Sequence, residues 1–154
     1  MNEYALVERP ILDWLCGDDL APYGSQTLRP GLSRGLGWTY RSDDAMAAYG
    51  RPLEDPLVES LLVEKLKAIN PEVRTDAQAM MAVSALRRAM MHPDRLTANR
   101  QTLDLLSDGA RVPLNPGEDA KTVQFIAFDP DRQHLNDFTA TNQYCIQGVR
   151  QCRE

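Results

Sequence analysis

The 154 residues contain no run approaching the ~18 consecutive apolar positions of a membrane-spanning helix, so the chain is not expected to cross a bilayer. Net basic charge is missing as well. Seventeen Lys and Arg against 22 Asp and Glu leave a formal charge of −5, which argues against nucleic-acid binding by bulk charge but leaves a local basic patch open. Cysteine is scarce: Cys16, Cys145 and Cys152 form no C-x-x-C pair, and the two histidines, His92 and His134, stand far apart. A disulfide framework and a zinc site of local spacing are therefore not expected, and three inert thiols fit a reducing cytoplasm. The first residues mix Glu3, Glu8 and Asp13 with apolar positions, unlike a signal or transit peptide. No Gly-x-x-x-x-Gly-Lys-Ser/Thr phosphate loop occurs, and there are no internal repeats or low-complexity tracts. What is present, 43% hydrophobic and 25% charged residues, suffices for one soluble globular domain with a real core, so residues 1–154 read as a single domain.

Charge is distributed unevenly. Residues 1–60 carry ten acids and five bases, while residues 61–154 carry twelve of each, so the acidic surplus lies wholly in the first part. Within the neutral part Arg87, Arg88, Arg95 and Arg100 form the one basic cluster.

Val7, Ile11, Trp14 and Leu15 have helical spacing, and Asn2 to Leu15 reads as a helix bent at Pro10. Glycine and proline punctuate residues 17–52 too densely for a long helix, leaving a long loop with one strand at Gly37-Trp38-Thr39-Tyr40. Asp55-Pro56 has the form of an N-cap with proline in the first turn, opening a helix that ends at Asn70-Pro71. Thr75-x-x-Gln78 is a capping-box pattern and opens a second helix that stops at His92-Pro93. A third spans about Thr97 to Ser107, with Leu103 and Leu106 inward and Gly109 closing it. Met80, Met81, Met90 and Met91 read as core packing. The pattern then alternates as strands do: an edge strand at Val112-Pro113-Leu114, a central strand over Val123–Phe128, a polar connection to Leu135, and a half-buried strand from Phe138 to Gly148. Helices first and strands last give an α+β or α/β order.

Several short motifs occur together in this order: Glu8 ahead of Leu36-Gly37-Trp38-Thr39-Tyr40, then Leu66-x-x-Ile69-Asn70-Pro71, Asn99-Arg100 with Leu105-Leu106-x-x-Gly109, and Phe128-Asp129 followed by Asn136-Asp137-Phe138, Asn142-Gln143-Tyr144 and Gly148. With them the sequence resembles the N-terminal region of the R (restriction) subunit of type I restriction-modification enzymes. The likeness spans the chain apart from residues 17–35, which read as a loop insertion. It implies an α/β fold: a helical layer followed by strands of a partial restriction-endonuclease-like PD-(D/E)XK domain. It also implies a prokaryotic, cytoplasmic parent that uses Mg2+ and ATP, translocates and cleaves DNA, and works with methyltransferase and specificity subunits. In that family a Pro-Asp and then a Glu-x-Lys follow the last strand and bind the metal. Neither follows that strand within this sequence, so the expectation is an N-terminal fragment, inactive alone, binding neither Mg2+ nor ATP, and prone to associate through an open sheet edge.

Each candidate residue has a plainer alternative. Glu8, on the resemblance, is a helix acid near the metal; otherwise it is a glutamate gaining from a helix N-terminus. Arg87, Arg88, Arg95 and Arg100 suit DNA phosphates, or else balance surface charge. Asn142, Gln143 and Tyr144 stand near the reacting centre, or hydrogen-bond within the sheet. Trp38 and Tyr40 could stack on bases but more simply fill a core, and His134 reads as a surface residue. Against the nuclease-fragment reading stand a non-catalytic docking module of the same subunit and a free-standing helical binding domain.

Overall fold

The computed structural model describes residues 7–17, 36–141 and 146. In chain order these form α1 (Arg9–Cys16), β1 (Thr39–Tyr40), α2 (Asp43–Ala47), α3 (Glu59–Ile69), α4 (Asp76–Met90), α5 (Arg95–Asp108), β2 (Ala110–Val112), β3 (Lys121–Val123), a 3-10 helix (Pro130–Leu135) and β4 (Thr139–Ala140). This is a mixed helical architecture with two small sheets, consistent with the α/β class. The chain divides into two compact units, one of residues 57–136 and one of residues 1–56 with 137–154.

The 57–136 unit is a three-helix layer against the β2–β3 hairpin. α4 turns Ala79, Ala82, Val83, Leu86 and Ala89 inward, and its alanines let neighbouring helices approach closely. Leu66, Val73, Val83, Val112, Leu114 and Val123 complete the buried cluster, with Leu62, Val63, Met80 and Leu105 packed against it. α4 starts as its capping box dictates: the Thr75 hydroxyl accepts the Gln78 N–H, and the Gln78 side-chain oxygen accepts the Thr75 N–H. The Gln78 amide also donates to the Leu114 carbonyl, tying the cap to the chain after β2.

Several boundaries differ from those the sequence suggests. α3 starts at Glu59, not at Asp55-Pro56, because the Arg51 guanidinium gathers the Pro52, Leu53 and Asp55 carbonyls into a turn. The edge strand is Ala110–Val112, antiparallel to Lys121–Val123, and Pro113 lies just beyond it. Only Val123 of the expected Val123–Phe128 strand belongs to a strand. The reason lies in two asparagines. Buried Asn70 accepts the Gln124 N–H and donates to the Gln124 and Leu66 carbonyls, each at 2.8 Å. Asn136 likewise accepts the Ala127 N–H and donates to the Ala127 carbonyl. Side-chain amides thus take the place of a neighbouring strand over residues 124–127. In α5 it is Leu105 that packs inward, while Leu103 is exposed; Met81 and Met91 are also exposed rather than in the core. The polar connection contains the 3-10 helix, whose Arg132 caps the Ile69 carbonyl at the end of α3.

In the other unit α1 lies on a two-stranded parallel sheet in which Thr39 pairs with Thr139 and Tyr40 with Ala140. Pro10 falls in the first turn of α1, where its missing N–H costs nothing; positions 2–6 of the expected Asn2–Leu15 helix lie outside the described residues. Leu12, Cys16 and Ala140 are buried here beneath Leu15, Trp38 and Tyr40. Of the expected Phe138–Gly148 strand only Thr139–Ala140 is strand among the described residues; positions 142–145 and 147–148 lie outside them.

Candidate functional site

The basic cluster sits on α4 and α5, and the helical turn separates its members. Arg87 and Arg88, adjacent in sequence, point about 100° apart around α4. Arg87 meets Glu59 of α3 at 2.9 Å, a partly exposed pair worth about 0–1 kcal/mol. Arg88 lines an open concavity of about 440 Å3 between α4 and α5, with Ala85, Ala89 and Leu105 beneath and Asp104 and Asp108 opposite in charge. Arg95 and Arg100 are exposed on α5 and, like Arg88, make no ion pair among the described residues. The four arginines therefore do not share one face. Asp94 caps α5, accepting the Thr97 N–H at 2.8 Å. Hydrogen bonds from the Thr97 side chain and backbone hold its carboxyl below the ordinary value.

Glu8 occupies the position before the first turn of α1, partly exposed. Trp38 and Tyr40 pack against the α1 cluster, and Trp38 stacks on Phe138 with ring centres 5.4 Å apart, so both aromatics serve a core. Cys16 is a buried free thiol. His134 is exposed on the 3-10 helix, and the His92 Nδ1 accepts the Asp94 N–H. Asn142, Gln143, Tyr144, Cys145 and Cys152 lie outside the described residues.

One polar group was not gathered from the sequence. Arg41 reaches Asp137 and Thr139 at 3.5 Å and lies 5.6 Å from the centre of the Tyr49 ring. Its partners are 96 and 98 positions away, so no local pattern could have joined them. Beside α1, Asp13 pairs with Arg9 through one carboxylate oxygen, while its other oxygen is buried without a hydrogen-bond partner.

Among the described residues no three His, Cys, Asp or Glu side chains stand together as a metal ion would need. No described helix is long and apolar enough to cross a membrane.

A family model described as type I restriction enzyme R protein N terminus matches residues 26–153. α1 and Glu8 precede the matched residues, whereas both asparagine clamps, Gly109 and the arginines fall within them. No curated protein and no solved structure matches the chain. With the match covering most of its length, the chain belongs to the family of type I restriction enzyme R protein N termini.

Proposed function

We propose that the chain forms the scaffold of the nuclease region of a type I restriction R subunit, in a DNA-cleaving assembly with methyltransferase and specificity subunits. The family match over residues 26–153 carries this reading. Its physical support comes from the motif residues. Asn70, Gly109 and Asn136 all serve to hold residues 109–128 against the helices, as expected of a scaffold. On this reading the domain is of the PD-(D/E)XK kind, and no Pro-Asp followed by Glu-x-Lys stands after β4 within the 154 residues to bind Mg2+. The chain alone then neither cleaves DNA nor hydrolyses ATP, those cofactors acting elsewhere in the subunit. Arg88, Arg95 and Arg100 remain available to phosphates, and Glu8 to a metal-proximal role. The β4 edge is a candidate for self-association.

The test compares the 154 residues with a version lengthened through the following part of its gene, using supercoiled unmodified DNA and Mg2+. The reading expects nicking or cutting only by the longer protein. Glu8→Ala should reduce that activity if Glu8 belongs to the centre, and unchanged cutting would remove Glu8 from it. Cleavage by the 154 residues themselves, or none by a folded longer protein that carries both motifs, would overturn the reading.

A further inference from the structure

We draw no further inference here: the strongest candidate, the apolar surface patch that Ile11 and Trp14 of α1 form with Val7 just before it, is an unpartnered face and nothing in the structure shows what covers it.

Discussion

Gly109 closes α5 with φ of +84°, a region that side chains rarely adopt, and a Cβ there would lie 2.8 Å from both the Val123 carbonyl oxygen and Thr122 Cγ2. The backbone oxygen cannot swing away as a side chain could. Gly109→Ala should therefore cost about 1–3 kcal/mol, read as a lower urea midpoint with an unchanged slope. Asn70 is the one buried polar residue among those described, and removing its amide strands the N–H and carbonyl of Gln124. Asn70→Leu should destabilise by about 1–3 kcal/mol despite adding apolar surface, because a buried unpaired backbone group costs more than a mean hydrogen bond contributes. Asp94 makes a pH-dependent contribution. Its carboxyl is held below its ordinary value of 3.8 by Thr97, so the folded state favours the ionised form. That stabilisation is present above 3.8 and is lost as pH falls through the lower folded value. Asp94→Asn keeps a cap but removes the titration, so its thermal midpoint should fall less than that of the parent between neutral and strongly acid pH.

Among the elements, the helices with complete local signals lie where the sequence places them. The α4 start needs only Thr75 and Gln78, four residues within one turn, and the α5 end needs only Gly109. Thr75→Ala should cost about 1 kcal/mol in thermal or urea unfolding, because the Gln78 N–H loses its acceptor. Asp55-Pro56 has the right chemistry to start α3, yet Arg51 takes the Asp55 carbonyl, which would accept the first helical hydrogen bond, together with the Pro52 and Leu53 carbonyls before it. The apolar run Val123–Phe128 reads as a strand because burial alone produces that pattern. Whether a strand, or asparagines from residues 70 and 136, supplies its hydrogen bonds is decided over separations of 54 and 9 positions. The site residues were less legible still. Adjacent Arg87 and Arg88 diverge around α4, one to Glu59 and the other to the concavity, and the Arg41–Asp137 pair leaves no trace in either local segment.

For the molecule as a whole, the division of the chain bears on what can be separated. Every member of the cluster around Val83, from Leu66 to Val123, belongs to residues 57–136, so that unit contains its own core. Expressed alone, residues 57–136 should unfold cooperatively in urea. Leu66→Ala should lower stability by about 2–5 kcal/mol there, since its side chain is fully buried. A featureless, non-cooperative melt of residues 57–136 would show that the core needs the rest of the chain.

By itself the sequence determined what depends on neighbours within a turn or two: the class of each helix, the capping box, the glycine stop, the acidic balance, and the order of motifs that carries the family. Tertiary structure alone decided how distant polar groups are satisfied. Asn70 and Asn136 stand in for a strand, Arg51 shortens a helix and Arg132 caps one, because a buried backbone group must find a partner wherever the fold brings one near. It also decided that Leu105 turns inward while Leu103 stays in water, since one helix has room for a single face against its core.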